Sequence, residues 1–178
     1  MGYAKEWLTK EEWNKLKNAP TKKEYDKNPE KQKWRDELLL RVTYKAGLRI
    51  SEALSLQHPY NFKLDDDNGY VQLNPEVETH KTENELQPCG TETVRDVYNF
   101  MSAFHGETNF VFEISRQRAY QIVNELADEV GIDKKLGTHT LRRSRANHLL
   151  NAGWHIEDVS DFLRHDRLEN TKKYLKIS

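Results

Sequence analysis

GTHTLRRSRANHLLNAG, residues 137–153, carries the punctuation of a helix at both ends and a cluster of cations at its start. Thr138 is placed to cap the first turn and Gly153 to end the last one. A hydroxyl can accept from free N–H groups, and glycine tolerates the left-handed turn that follows a helix. His139 and Arg142 then fall in the first turn, three residues apart and projecting from neighbouring positions. The free N–H groups and the dipole at that end favour an anion. Arg142 also borders an apolar stripe of Leu141, Leu149 and Ala152. A guanidinium buried there calls for a partner, and a phosphate would serve as one. A solvated basic helix face accounts for the same residues without any ligand, so both readings stay open at this point.

Working outward, the chain closes with FLRHDRLENTKKYLKIS, residues 162–178. Asp166 with Glu169 reads as an N-cap pair, so a new helix starts there and leaves His165 in the junction before it. Leu168 and Leu175 share a face, while Tyr174 lies roughly 100° from Leu175 and off that stripe. A frayed, solvent-facing end explains such a tyrosine, and so does a nucleophile on a mobile tail. In the other direction, Thr9 and Glu12 form a capping-box signature, and Pro20 and Asn28-Pro29 mark a loop. A longer helix fits 31–46, with Leu38, Leu39, Val42 and Ala46 as its stripe and Gly47 placed to end it. A short helix fits SEALSLQ after it.

Residues 58–88 follow a different pattern. YNFKLDDDNGYVQLN sets a turn-forming Asp-Asn-Gly between short β-prone runs, and VETHKTENELQP repeats the arrangement with KTEN at its turn. These segments predict a small antiparallel sheet of about three strands. Helical segments resume at 91–104, 115–130, 139–152, 155–163 and 167–176. The fold class is α+β, mainly helical.

The chain has 178 residues, of which 32% are charged, and a formal net charge of −1. That length suits one domain with a real core, and no apolar run approaches the roughly 20 residues needed to span a membrane. The single cysteine, Cys89, excludes an internal disulfide framework and a multi-cysteine zinc site, and a reducing, cytoplasmic setting is the simple expectation. The near-neutral sum argues weakly against nucleic acid, but LRRSR at 141–145 and TKKYLK at 171–176 are local basic clusters, and local fields steer phosphates.

Two further residues invite a chemical reading. Arg49, in AGLRISEALSL, lies between a helix-ending glycine and a new helix, and its rigid fork matches phosphate. A local ion pair with Glu52, three residues on, is the plainer explanation. Lys81 sits at the tip of the second hairpin, where exposed lysines are common. A hairpin tip can also reach a nucleic-acid groove, and an ammonium can donate a proton.

Taken together, GLRISEALSL, THKTENEL, HTLRRSRANHLLNAG and FLRHDRLENTKKY resemble, in order and spacing, the catalytic domain of tyrosine site-specific recombinases, the family of phage integrases and Xer-type recombinases. The resemblance covers residues 8–176. It implies attack by a tyrosine on a DNA phosphodiester, giving a 3′-phosphotyrosine and a free 5′-hydroxyl, with neither ATP nor a metal or other cofactor. By the same resemblance the catalytic set is Arg49, Lys81, His139, Arg142, His165 and Tyr174. Arg49 and Arg142 would clamp the phosphate, with His165 adding a hydrogen bond. His139 would serve as the base for Tyr174, and Lys81 as the acid for the leaving oxygen. Arg143, Arg145, Lys172 and Lys173 are candidate DNA backbone contacts. The implied partners are double-stranded DNA and further copies of the chain, a tetramer on DNA and a monomer in solution, with no membrane, in a prokaryotic, viral or mobile-element context.

The sequence departs from the family pattern in three respects. Arg143 stands where many members have histidine, and Arg164 where a glycine often precedes the second histidine. Residues 1–178 read as a single catalytic domain with the family's N-terminal core-binding domain absent, which leads to an expectation of weak, salt-sensitive DNA affinity. Two other functions compete: relaxation of DNA by a type IB topoisomerase, and DNA binding by an accessory protein that keeps the fold without the chemistry.

Overall fold

The computed structural model describes residues 7–20, 27–73, 86–104, 106, 108–165 and 167–176. In chain order the elements are α1 (Lys10–Lys17), α2 (Pro29–Lys45), α3 (Ile50–Leu54), β1 (Phe62–Leu64), β2 (Gly69–Gln72), β3 (Leu86–Pro88), α4 (Thr91–Ala103), α5 (Arg116–Glu129), α6 (Thr140–Asn151), α7 (Ile156–Phe162) and α8 (Leu168–Tyr174). The mainly helical α+β class and the small sheet are as the sequence predicts.

Local chemistry sets most boundaries. Thr9 and Glu12 close the expected capping box on α1. α2 begins two residues earlier than its apolar stripe suggests, because Asn28 caps it and Pro29 occupies the first turn. Proline is favoured there, where its missing N–H would have had no helical partner. What reads as a loop marker is therefore a helix start. The β1–β2 turn is closed by Asp65, whose carboxylate accepts from the N–H groups of Asp67 and Asn68 at 2.9 and 2.7 Å. The three strands pair antiparallel in the order β1-β2-β3, with Phe62 opposite Val71 and Val71 opposite Gln87. The tip of the second hairpin lies outside the described residues.

Two helix starts differ from expectation. His139, not Thr138, occupies the cap position of α6 and makes no side-chain cap, while the Thr140 hydroxyl accepts from Gly137 N–H at 2.8 Å. α8 begins at Leu168 with Arg167 in the cap position, and Asp166 is outside the described residues.

α2 is the central helix. It packs against α1, α3, α4 and α6, and its buried side chains extend from Gln32 to Tyr44 around much of its circumference. Most of the apolar core is one cluster running from Leu8 to Leu141. A smaller cluster joins Ala146 and Leu149 of α6 to Val159, Phe162, Leu163 and Leu175, with Tyr174 packed on it. Gly47 is where the two clusters meet. Its φ is +65°, and a Cβ there would lie 2.4 Å from the Phe162 ring. Gln87 of β3 ties the same junction, donating to the carbonyls of Ala46 and Phe162 at 3.0 and 2.7 Å. Among the described residues no helix is long and apolar enough to cross a membrane.

Candidate active site

The Gly47 junction brings together the end of α2, the start of α3, the first turn of α6 and the turn after α7. Arg49 stands at the cap position of α3, and Glu52 folds back to accept from its N–H at 2.8 Å. The local ion pair expected from their spacing is present, with Arg49 Nη1 3.5 Å from Glu52 Oε2. That pair is one part of a larger arrangement, because the side chains of Glu52, Arg142 and Arg164 are each only 1% exposed and meet one another. Glu52 Oε1 accepts from Arg164 Nη2 at 3.0 Å and lies 3.6 Å from Arg142 Nη1. Among the described residues, three guanidinium groups thus share this one carboxylate.

Arg142 is held hard. Its Nη1 donates to Gly47 O at 3.1 Å and its Nη2 to Leu163 O. Those carbonyls lie just past the C-terminal ends of α2 and α7, where a cation is favoured by the helix dipoles. Burial, and then the neighbouring Arg164 charge, pull its pKa down to about 10, so it remains a cation at neutral pH. Arg49 is half-buried and opens the cluster to solvent.

Tyr174 packs over this cluster from the end of the chain. Its hydroxyl donates to the main-chain oxygen of His139 at 3.4 Å, and the Arg143 guanidinium lies 4.4 Å from its ring centre. The His165 and His139 rings stand edge-on at 5.4 and 6.3 Å. Burial raises the tyrosine pKa above its ordinary value. Arg142, Arg143 and Arg49, together with a hydrogen bond from Arg142, pull it the other way without prevailing. The resting hydroxyl is therefore protonated, and attack by it needs a base. The end of the chain is the helix α8 followed by a turn through Lys176, and it is docked by buried Thr171 and Leu175.

His139 keeps solvent contact but is crowded by protein on one side. That partial burial, followed by the charges of Arg49, Arg142 and Arg143, lowers its pKa, so the ring is neutral at pH 7 and can accept a proton. His165 is oriented through Nδ1, 2.7 Å from the Thr171 hydroxyl.

Arg49, His139, Arg142, His165 and Tyr174 are thus gathered into one site, with Arg143 beside them. Arg145 is not. Two residues along the helix is about 200°, and its guanidinium lies 5.3 Å from the Tyr44 ring on the α2 side. Lys172 is half-buried and Lys173 exposed on α8, next to the site. Lys81 lies outside the described residues. Three residues were not picked out as site members from the sequence. Glu52 was visible only as a partner of Arg49, and Arg164 only as a departure at a turn. Thr171 gave no signal beyond its place between His165 and Tyr174. Among the described residues no group of histidine, cysteine or acidic side chains could hold a metal.

The sequence pattern of the phage integrase family matches residues 6–178. Tyrosine recombinase XerC of Pelotomaculum thermopropionicum is 28% identical over 160 residues, which cover 81% of this chain and 50% of that protein. Tyrosine recombinase XerD of Chlorobaculum tepidum is 32% identical over 155 residues, 80% of this chain and 49% of that one. The chain spans about half the length of the curated relatives it matches. Among solved structures, XerH site-specific recombinase bound to its difH substrate, a pre-cleavage complex, superposes with a TM-score of 0.76 at 19% identity, over 94% of this chain and 49% of that one. The catalytic domain of bacteriophage HP1 integrase gives 0.58 at 19% identity, over 96% and 86%. At these identities the solved structures support the fold.

Proposed function

The chain belongs to the phage integrase family, and we propose on that premise that it is the catalytic part of a site-specific recombinase, acting on double-stranded DNA. The observation that carries the proposal is the position of Tyr174, packed against Arg142 and Arg143 with His139 and His165 beside it.

In the proposed reaction the Tyr174 oxygen attacks a phosphodiester phosphorus, the bond to the 5′-oxygen breaks, and a 3′-phosphotyrosine forms. The hydroxyl of a second strand reverses the step. Arg49 and Arg142 bind the non-bridging oxygens, where negative charge grows in the transition state. The preorganisation of Arg142 by two carbonyls and Glu52 supports this role, since a held cation needs no rearrangement at the moment of reaction. His139, neutral at pH 7, takes the tyrosine proton, and His165 adds a hydrogen bond to the phosphate. Lys81 is proposed from the sequence pattern as the proton donor to the leaving 5′-oxygen. Arg143, Lys172 and Lys173 make backbone contacts. Assembly of four copies on two duplexes, in a prokaryotic cytoplasm, belongs to the same proposal.

A library of nicked suicide duplexes with randomised sequence tests this reading. The wild-type chain is expected to give an SDS-resistant DNA adduct, and Tyr174→Phe none. DNA retention without any adduct would favour an accessory binding role. Efficient relaxation of unrelated supercoiled DNA would favour a topoisomerase. Arg49→Ala is expected to slow adduct formation by about 10²–10³-fold, as for loss of one donor to a developing anion.

A further inference from the structure

The turn before His165 places an arginine where the backbone suits glycine. Arg164 has a φ of 59°, in the left-handed region that side chains rarely adopt. Its side chain is 1% exposed, so the residue combines an unfavourable backbone with a buried charge. A glycine would make the turn more easily. The guanidinium ends on Glu52 Oε1 at 3.0 Å, the carboxylate that Arg49 and Arg142 also meet, at 3.5 and 3.6 Å. Glu52 cannot turn away from Arg164 without changing its contact with both.

We propose that Arg164 is a positioning residue, which anchors Glu52 from the α7 side so that the carboxylate fixes where the guanidinium groups of Arg49 and Arg142 meet a phosphate. The proposal rests on the reading of this site as a phosphate-handling centre. Arg164 itself touches no reacting atom. It sits behind Glu52, on the side of the carboxylate away from the open face near Arg49. Because Arg164 precedes His165 directly, the same anchor ties α3, α6 and the turn carrying His165 into one unit.

Single-turnover cleavage of nicked suicide duplexes tests this, with either a phosphodiester or a methylphosphonate at the scissile position. The methylphosphonate lacks one of the oxygens the arginines would grip. Arg164→Gly suits the left-handed turn and is expected to fold. It should slow cleavage of the phosphodiester by roughly 10–100-fold, the scale of losing a supporting residue. The methylphosphonate should be slowed much less, and Arg164→Lys should regain part of the rate. In a Glu52→Gln background, Arg164→Gly should change the rate by no more than about twofold, because the two act through one contact. A wild-type rate in Arg164→Gly, equal slowing on both substrates, or an undiminished further loss in Glu52→Gln would overturn the proposal.

If the wild-type chain forms no adduct on any duplex, the reading of its function fails separately. Positioning is then read with inorganic phosphate, by following the guanidinium NMR signals of Arg49 and Arg142. Weaker phosphate binding in Arg164→Gly is expected. Unchanged affinity, or no saturable shift in the wild-type chain, would contradict it.

Discussion

α6 carries two buried polar sites, and they are built on opposite principles. At its first turn Arg142 joins Arg49 and Arg164 around Glu52, three cations to one carboxylate among the described residues. Further along, Ser144 and His148 clamp one residue of the segment before α1. Ser144 Oγ accepts from Leu8 N–H at 2.8 Å, and His148 Nε2 bonds Leu8 O at 2.7 Å. Since that carbonyl can only accept, Nε2 carries the proton, and Nδ1 accepts from the Tyr44 hydroxyl at 2.6 Å. Every one of these groups has a complementary partner, and the clamp itself is built from uncharged groups. The matched clamp holds the fold together. In the other cluster three cations meet one carboxylate among the described residues, which suits the anion-binding role proposed for it.

The contrast can be broken most severely at Glu52. Glu52→Ala leaves buried guanidinium groups without their carboxylate, and a loss of about 3–5 kcal/mol in urea unfolding is expected. Adduct formation should disappear with it. Unaltered stability would mean that the cluster does not depend on this carboxylate.

His148→Phe comes next. It removes the partner of the Tyr44 hydroxyl and of the Leu8 carbonyl, which at 1–3 kcal/mol for each buried unsatisfied group predicts a loss of about 2–6 kcal/mol. Below its lowered melting temperature the variant should still form adduct at close to the wild-type rate. A large drop in rate without a drop in stability would erase the distinction between the two sites.

Acid sharpens the contrast with a smaller effect. Burial, and then the Lys10 and Arg145 charges against the raising effect of the Leu8 bond, hold the His148 pKa below its ordinary value. The unfolded chain therefore takes up a proton that the folded one resists. The stabilisation is complete above about pH 6.5 and is lost as pH falls from there through the folded value. Urea midpoints at pH 7.5 and 5.5 should show this loss, and His148→Phe should show less of it. His58 and His139, whose pKa values burial also lowers, contribute in the same direction.

The smallest effect is expected at exposed Lys173. Its replacement by alanine should weaken DNA binding modestly and reduce the salt slope by about 1, the signature of one phosphate contact. An unchanged slope would remove it from the interface.

Residue type and spacing reveal one side of this contrast better than the other. Arg49, Arg142, His165 and Tyr174 each admit a plainer explanation alone, and they are legible as a set through the order and spacing of the segments that resemble the family. The order of the elements and the three-strand sheet follow from periodicity and turn residues in the same way. Glu52 is hidden because a carboxylate three residues after an arginine looks like a local helix pair, and its other partners come from α6 and from the turn after α7. The clamp is hidden for a related reason. Ser144 and His148 are ordinary helix residues until the tertiary fold brings Leu8 between them. Arg164 was readable as a departure from glycine, but its inward direction depends on a buried acid that no local pattern announces.

The central claim is that Tyr174, docked on the arginine cluster, is the group that becomes joined to DNA. Proteolysis of the SDS-resistant adduct followed by mass spectrometry of the nucleotide-bearing peptide tests it most directly. The account predicts a 3′-linked nucleotide on Tyr174 and no adduct in Tyr174→Phe. A nucleotide on any other residue, or an adduct that survives that substitution, would contradict it.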